Sequence, residues 1–428
     1  MLAARAALRG AIARIASFSP PAREYLSYSL LAGIAVAIYN LVFNLYMSAL
    51  GFSNDIIGLF NALPALGLLL VGLPLAGLAD RIGYRIFLLA GASLTVVSSI
   101  VLALASARLI AVLAAGAFGL ALIVFATLGG PLLAQVSTEG ERVALFAVSQ
   151  SLAWVSALAG NLLGGAIPEA AARVGHVSSS SAGAIRSAFA AMAVLTLAAL
   201  PLLVRLAARV ELKPAAVFPV RELLQVDVAR FARLLLPTLL LGIGAGMYLN
   251  FLQLYLAQRF GLTAGPIGVI FAVGAALTAI ASLLAPSIGR RVGLTRTIGV
   301  SPLIGAPLVF TLAFLMTLPV ALVIITVRQL VLNIQGPLSQ AFGMGYVEPR
   351  QRARFATAQI VVSGIGLGGI GPLLSGLLQV RGGYQLAFSV SAVFYFLAGV
   401  TFLLLFGKLR LQSERPASGG NRRNGQSL

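Results

Sequence analysis

Long apolar stretches follow one another along almost the whole chain, and few charges interrupt them. A helix needs about 20 apolar residues to cross the roughly 30 Å hydrocarbon core of a bilayer. Of the 428 residues, 59% are hydrophobic and 10% are charged, whereas soluble domains average roughly 45–50% and about 25%. We therefore predict an all-α integral membrane protein with twelve transmembrane helices, at residues 28–50, 56–78, 86–105, 108–134, 145–167, 186–208, 233–257, 265–288, 297–316, 319–344, 355–380 and 385–407.

The basic residues orient these helices. A net charge of +19 is typical of nucleic-acid-binding proteins when it is gathered on one soluble module. Here the charges are scattered over short loops, which argues against nucleic acid and for the bilayer as a partner. With twelve spans, 24 of the 30 Lys and Arg residues fall on the side of both termini. The positive-inside rule then predicts that both termini are cytoplasmic. We expect a multi-pass protein of the plasma membrane, a prokaryotic inner membrane.

An internal repeat divides the chain into two halves. Gly51–Gly58 (GFSNDIIG) matches Gly261–Gly268 (GLTAGPIG) at a spacing of 210, and GNLLGG at 160–165 matches GPLLSG at 371–376. Weak internal similarity of this kind is typical of transporters, whose sites lie between the repeats near the bilayer midplane. The predicted organisation is a cytoplasmic N-terminal segment (1–24), an N-terminal six-helix bundle (25–208), a cytoplasmic central loop (209–232), a C-terminal six-helix bundle (233–407) and a disordered tail (408–428).

The N-terminal segment allows two interpretations. It carries Arg5, Arg9 and Arg14 with no acidic residue before Glu24. Such a segment suits a short interfacial helix whose arginines face an anionic leaflet, and we favour this interpretation. An organelle transit peptide has the same composition and stays open as the alternative.

One charged motif stands between the second and third predicted spans. Residues 77–85 read GLADRIGYR, and this motif resembles the loop 2–3 signature of the major facilitator superfamily at Gly77, Asp80, Arg81, Gly83 and Arg85. The six-plus-six arrangement is similar as well. The resemblance implies a secondary transporter that works by alternating access between two pseudo-symmetric six-helix bundles. GNLLGG also resembles an antiporter motif of that family, with Asn161 in place of a proline, so an exporter is one possibility.

The resemblance also implies that spans one, four, seven and ten line a central cavity. Arg328 is the one charge predicted deep in a span, where Arg costs about 2.5–3.5 kcal/mol on insertion scales. An anionic or strongly hydrogen-bonding solute would suit it. The remaining candidates are polar or aromatic, and the Asn and Gln side chains among them could also act as glue between helices. The predicted substrate-binding residues are Arg328, Gln329, Asn333, Asn40, Asn44, Asn250, Gln253, Tyr248, Gln150 and Trp154.

In the fold that this sequence resembles, loop 2–3 packs against the start of span eleven when the cytoplasmic side is closed. We therefore predict two conformational latches of complementary charge. The first joins Gly77, Asp80, Arg81, Gly83 and Arg85 to Arg350, Arg352 and Arg354. The second is its repeat equivalent and joins Arg290 and Arg291 to Glu139 and Glu141.

The sequence lacks the residues that several classes of function need. The chain has no cysteine and one histidine, so no metal site, cofactor or catalytic residue is predicted and an enzyme is not expected. No Asp or Glu falls in the middle of a predicted span, which makes coupling through a buried carboxylate doubtful. We predict a monomeric secondary transporter of a small organic solute. The alternative is a non-transporting receptor or scaffold on the same fold.

Overall fold

The computed structural model describes residues 15–210 and 228–407, and within these ranges the chain is almost entirely helical. The predicted all-α membrane fold is confirmed. Predicted segments that fall at 1–14, 211–227 and 408–428 lie outside the described residues. The N-terminal half consists of α1 (Pro20–Ala49), α2 (Asn54–Gly67, Leu68–Gly72 and Leu73–Ile82), α3 (Tyr84–Leu104), α4 (Arg108–Val136), α5 (Arg142–Gly175) and α6 (Ala182–Arg209).

The C-terminal half repeats this layout. Its helices are α7 (Val228–Leu249 and Leu252–Phe260), α8 (Ala264–Val292), α9 (Leu294–Phe314), α10 (Leu318–Tyr346), α11 (Arg352–Gly364, Ile365–Ile370 and 371–381) and α12 (384–406), with a short 3₁₀ turn (Pro349–Gln351) before α11. Eleven helical segments are long and apolar enough to cross a membrane. The last of these, Arg354–Phe406, contains both α11 and α12, which gives twelve spans in the described part of the chain.

Glycines mark the sharpest backbone breaks. Gly83 between α2 and α3 has φ 108°, and its repeat equivalent Gly293 between α8 and α9 has φ 97°. Both values lie in the left-handed region, where a side chain would be strained. Gly383 has φ 64° and separates α11 from α12. The chain therefore reverses sharply at Gly83, and the repeat extends to backbone conformation.

The helix boundaries differ from the sequence prediction at several ends. Pro20 and Pro21 occupy the first turn of α1, where a missing N–H costs nothing, so α1 begins eight residues before the predicted span. Both α2 and α11 contain a π-helical turn, at Leu68–Gly72 and Ile365–Ile370. Such turns insert an extra residue into the helix and commonly mark functional positions.

We define two ends of the helix bundle. The proximal end carries Gly83, Gly293 and the loop between α10 and α11. The distal end carries the α1–α2 and α7–α8 connections at 50–53 and 261–263 and the break at Gly383. The charge distribution predicts that the proximal end is cytoplasmic.

The two halves meet at the distal end through paired glycine crossings. On α2, a Cβ added at Gly58 would lie 2.5 Å from the Pro372 carbonyl oxygen and 3.2 Å from the Cα atom of Gly376 on α11. On α8, a Cβ added at Gly268 would lie 2.4 Å from the Asn161 carbonyl oxygen and 3.0 Å from the Cα atom of Gly165. Gly58 and Gly268 are repeat equivalents, as are Gly165 and Gly376. Small residues let membrane helices approach this closely, so two pseudo-symmetric crossings close the distal end.

Candidate substrate-binding site

A cleft of about 500 Å³ lies inside the C-terminal half, between α7, α10 and α11. It extends along α10 from Arg328 to Gly343, which is roughly 22 Å at 1.5 Å per residue. Leu234 and Phe355, near the proximal ends of α7 and α11, also line it. The cleft therefore runs from the middle of the bundle to the proximal end. Its described lining residues all come from the C-terminal half.

Arg328 lies at the deep end of the cleft. Its exposure is 3%, and two tyrosine rings surround its guanidinium group. The Cζ atom lies 4.3 Å from the ring centroid of Tyr248 on α7 and 5.5 Å from that of Tyr395 on α12. Nη2 donates a hydrogen bond to the Tyr395 hydroxyl. The arginine is thus held by aromatic faces on both neighbouring helices, each a favourable cation–π partner.

The hydrogen-bonding capacity of Arg328 is only partly used. Nη1 reaches Gln329 Oε1 at 3.5 Å, which is the limit of a hydrogen bond, and the buried Nε has no partner. A guanidinium has five N–H donors. Among the described residues that line the cleft, Arg328 is the one charged side chain, and none is acidic.

On the proximal side of Arg328, one turn of α10 carries two amide side chains, Gln329 and Asn333, and we call this turn the polar step. Gln329 Nε2 and Asn333 Nδ2 both donate to Thr278 Oγ1 on α8, at 2.9 and 3.0 Å. Thr278 in turn donates to the Gly274 carbonyl. Gln329 and Asn333 line the cleft as predicted, and their amide nitrogens also bind α8. Their positions are therefore fixed before any ligand arrives.

Farther toward the proximal end, the lining of the cleft has a polar part and an apolar part. The polar part includes Ser339 on α10, whose Oγ accepts a 3.3 Å hydrogen bond from Gln359 Nε2 on α11. Buried Gln335 leaves its Oε1 without a partner. Most of the apolar lining comes from α7, α10, α11 and α12, and it includes Leu241, Leu249, Leu332, Phe342, Phe355, Leu367 and Phe402. The cleft thus combines one cation and several amides and hydroxyls with a larger apolar surface.

Four predicted binding residues instead lie where α1 and α7 meet. Asn44 Nδ2 donates to the Asn250 carbonyl at 2.5 Å, and Gln253 Nε2 donates to the Asn40 carbonyl at 3.4 Å. Asn250 Nδ2 also donates to the Leu367 carbonyl on α11 at 2.8 Å. In this conformation the side-chain amides of Asn44 and Gln253 join the halves, and none of the four residues is among those that line the cleft.

Gln150 and Trp154 on α5 are not among the residues that line the cleft. Gln359, the repeat equivalent of Gln150, does line it, and the sequence analysis did not select it. Tyr395 was also missed, because aromatic residues on span twelve are common in any apolar helix. Its role shows only in the packing, which places Tyr395 beside Arg328 as a second ring in addition to Tyr248.

An uncharged hydrogen-bond network at the distal end was not predicted either. Asn54 Nδ2 on α2 donates to Gln379 Oε1 on α11 at 2.8 Å, and Gln379 Nε2 donates to Ser375 Oγ at 2.8 Å. Gln258 at the end of α7 accepts from Tyr384 at 2.9 Å and donates to Ser48 on α1 at 3.3 Å. We call these residues the distal amide network.

The predicted latch residues lie at the proximal end. Arg81, Arg85, Arg290, Arg291, Arg350 and Arg352 are exposed, and Arg354 is half-buried. Gly77 is part of α2, and a Cβ added there would have no atom of another element within 4 Å. The side chain of Asp80 lies outside the described part of the structure, so its pairing with the α11 arginines stays a prediction.

Glu141 has a different partner in this conformation. Its carboxylate accepts hydrogen bonds from Ser19 N at 3.0 Å, Ser19 Oγ at 2.7 Å and Thr138 N at 3.0 Å. Burial acts to raise the pKa of Glu141, but these hydrogen bonds outweigh it and lower the pKa below its ordinary value. Glu141 thus holds the start of α1 against the start of α5. Its neighbour Glu139 is exposed.

The described residues contain no cluster of three or more His, Asp or Glu side chains that could hold a metal ion. An ion pair joins Arg209 to Glu24 at 3.2 Å. This pair joins the end of α6 to α1 within one half.

Comparison with known proteins identifies the fold. A family model described as the Major Facilitator Superfamily matches residues 26–368 and 234–426. A search of curated protein sequences gives no match. Solved structures are similar in fold only, at 14–16% identity. A bacterial homologue of the human lysosomal transporter Spinster, inward-facing and occupied, aligns with a TM-score of 0.72 at 16% identity and covers 94% of this chain and 100% of its own.

Two further structures are similar to about the same extent. The nucleoside transporter NupG aligns with a TM-score of 0.72 at 14% identity and covers 92% of this chain and 100% of its own. A bacterial homologue of the iron transporter ferroportin, in an inward-facing state, aligns with a TM-score of 0.73 at 15% identity, over 90% of this chain and 98% of its own. The solutes named for these structures differ in chemistry.

Proposed function

Because this chain belongs to the major facilitator superfamily, we propose that it is a secondary transporter that carries a small organic solute by alternating access. The observation that carries the proposal is the combination of a closed distal end with a cleft that reaches the proximal end. The glycine crossings at Gly58–Gly376 and Gly165–Gly268 bring the halves into backbone contact at the distal end. Such an arrangement corresponds to one of the two end states that alternating access requires.

The orientation of the chain makes this state inward-facing. Lys and Arg residues concentrate on the side of both termini, which the positive-inside rule places in the cytoplasm. We therefore infer that the cleft opens to the cytoplasm of a cell whose plasma membrane holds the protein. The reverse state would open the distal glycine crossings and the distal amide network.

The size of the cleft supports a small organic molecule as the substrate. Ligand sites of about 300–1,000 Å³ hold drug-sized molecules, and the cleft of about 500 Å³ falls in this range. The walls are mainly apolar with a few convergent polar groups, which is the usual composition of such sites. The lipid bilayer is the remaining partner, and a monomer is sufficient because the cleft lies within one chain.

We propose facilitated diffusion or exchange as the mode of transport. Proton coupling through the membrane core needs a titratable group there, and the cleft has no described acidic lining residue. The GNLLGG motif contributes Gly165 to a glycine crossing, while Gly160 packs on Ala37 and Ile34 of α1. Its similarity to an antiporter motif supports the outward direction, which remains a proposal.

At the proximal end, we propose that the two predicted latches close the cytoplasmic side in the outward-facing state. Asp80 would then face Arg350, Arg352 and Arg354. Glu141 would exchange its hydrogen bonds with Ser19 for Arg290 or Arg291. Only contacts that differ between the two states bias their populations, so breaking a latch would favour the inward-facing state.

A reversible lock at the distal end tests the proposed function. The chain has no cysteine, so a disulfide between Asn54→Cys and Gln379→Cys would join α2 to α11 without competing thiols. Proteoliposomes loaded with a bacterial cell extract would release the transported solute, which mass spectrometry identifies in the medium. We expect release from the reduced protein and from a Gln379→Cys single variant, and none from the oxidised pair. Equal release from the oxidised pair would contradict alternating access.

A further inference from the structure

The deep end of the cleft contains a positive charge that no described side chain neutralises. Arg328 is 3% exposed, and no acidic residue is among the described lining of the cleft. Taking an ion out of water costs several kcal/mol even after relaxation, and a buried charge is normally paired. The two tyrosine rings offset part of this cost through cation–π contacts. They supply no negative charge.

The rings also determine where a partner can bind. Tyr248 and Tyr395 lie within 4.3 and 5.5 Å of the guanidinium carbon, so they occupy space around the group. The guanidinium group of Arg328 can still form hydrogen bonds through its N–H donors. Nε is buried with no hydrogen-bond partner, and Nη1 has only the marginal 3.5 Å contact with Gln329. Nε and Nη2, on the same edge of the guanidinium group, form the planar fork that binds a carboxylate through two parallel hydrogen bonds, and Nη2 has a second N–H besides the one that the Tyr395 hydroxyl accepts.

We propose that Arg328 binds the carboxylate of a singly charged organic anion whose apolar body lies along the cleft. This inference rests on the proposed function and names its substrate class. One cation among the described lining residues matches one negative charge. A doubly charged phosphate would need a second cation. The walls at Leu241, Leu332 and Phe342 suit an aliphatic or aromatic body.

The polar step of α10 gives this site its orientation. Gln329 and Asn333 are anchored on Thr278, so they lie beside the carboxylate position without having to reorganise. Preorganised groups cost less to order when a ligand binds. A neutral molecule of the same shape would leave Arg328 unpaired, and it should bind more weakly for that reason.

The test compares three molecules that differ only in their polar end: 4-phenylbutyrate, its neutral amide 4-phenylbutyramide and its cationic analogue 4-phenylbutylamine. Binding to the full chain in lipid nanodiscs is measured by calorimetry, with acetate and chloride as small anions. We expect the acid to bind on the order of tenfold or more tightly than the amide, as for a hydrogen bond to a charged group. The amine should not bind, and acetate should bind more weakly than phenylbutyrate.

Variants then assign the effect to Arg328. Arg328→Gln should abolish the preference for acid over amide, whereas Arg173→Gln, an exposed distal arginine, should leave it unchanged. If Arg328→Gln does not fold, Arg328→Lys decides the question, because it keeps the charge and loses the fork. Affinity for the acid should then fall on the order of tenfold while the acid is still preferred.

Four results would overturn the proposal: equal binding of acid and amide, no binding of any carboxylate, a folded Arg328→Gln protein that keeps its selectivity, or chloride that binds as well as phenylbutyrate. A failure here leaves the disulfide test of transport intact, since that test needs no known ligand. If the acid binds as expected but the distal disulfide has no effect on release, the site stands and the transport function fails.

Discussion

Replacing Gly268 by alanine should open the distal end of the bundle. The added Cβ would lie 2.4 Å from the Asn161 carbonyl oxygen and 3.0 Å from the Cα atom of Gly165. Ordinary C···O contacts are about 3.3 Å or longer, so α5 and α8 would have to separate by roughly 1 Å. Overpacking of this kind costs about 1–3 kcal/mol.

In the proposed cycle only the distally closed state contains this crossing, so the whole penalty falls on that state. A difference of about 1–3 kcal/mol shifts a two-state equilibrium roughly 5–150-fold. Spin labels on Ala107→Cys and Thr317→Cys report the change, because these repeat-equivalent residues precede α4 and α10 on the distal loops of the two halves. In nanodiscs, Gly268→Ala should increase the population with a long distance between the labels.

The matched control lies on the same helix. Gly274 has no atom within 4 Å of an added Cβ, so Gly274→Ala should leave the distance distribution as it is. Circular dichroism and thermal unfolding confirm that each variant folds. If folded Gly268→Ala has the distance distribution of the parent protein, the glycine crossing does not limit the equilibrium and the packing argument is wrong.

Three other changes test separate contacts. Gln379→Leu removes the hydrogen-bond acceptor that faces α2 and should raise the open distal population a few-fold in the same measurement, as for one hydrogen bond of about 0.5–1.5 kcal/mol; an unchanged population would exclude the distal amide network as a gate. The hydrogen bonds to Glu141 lower its pKa. They therefore stabilise the folded state at pH values above the ordinary carboxyl pKa of 4.5, and this stabilisation is lost as the pH falls through the folded-state pKa. The difference in thermal stability between the parent protein and Glu141→Gln should therefore shrink toward acidic pH, and a constant difference would refute this. Tyr395→Phe leaves Arg328 without its hydroxyl partner and should lower the free energy of unfolding by about 1–3 kcal/mol, which chemical denaturation measures.

The sequence predicted the spans well because hydrophobic length is a direct consequence of bilayer thickness. The break between α11 and α12 was anticipated between residues 380 and 385, where Gly382 and Gly383 stand together. The start of α1 was missed, because a proline pair can end one segment or begin the next. The repeat offset near 210 also proved sound, since it relates the two glycine crossings.

The site was only partly predictable. A lone arginine in an apolar span is an unusual and costly feature, so Arg328 could be selected from the sequence. Amides are different, because the same side chain can join two helices or face a cavity. Asn44 and Gln253 join α1 to α7, whereas Gln359 lines the cleft, and no local pattern distinguishes them. Tyr395 required knowledge of which helix packs beside α10.

The most direct measurement of the central claim uses two pairs of spin labels at repeat-equivalent positions. Ala107 and Thr317 report on the distal end. Ile82 and Val292, each about half exposed at the proximal ends of α2 and α8, report on the other. Alternating access predicts two populations in lipid, with the proximal distance short when the distal distance is long. Gly268→Ala should therefore lengthen the distal distance and shorten the proximal one. A single population at both ends, or distances that lengthen together, would contradict the account.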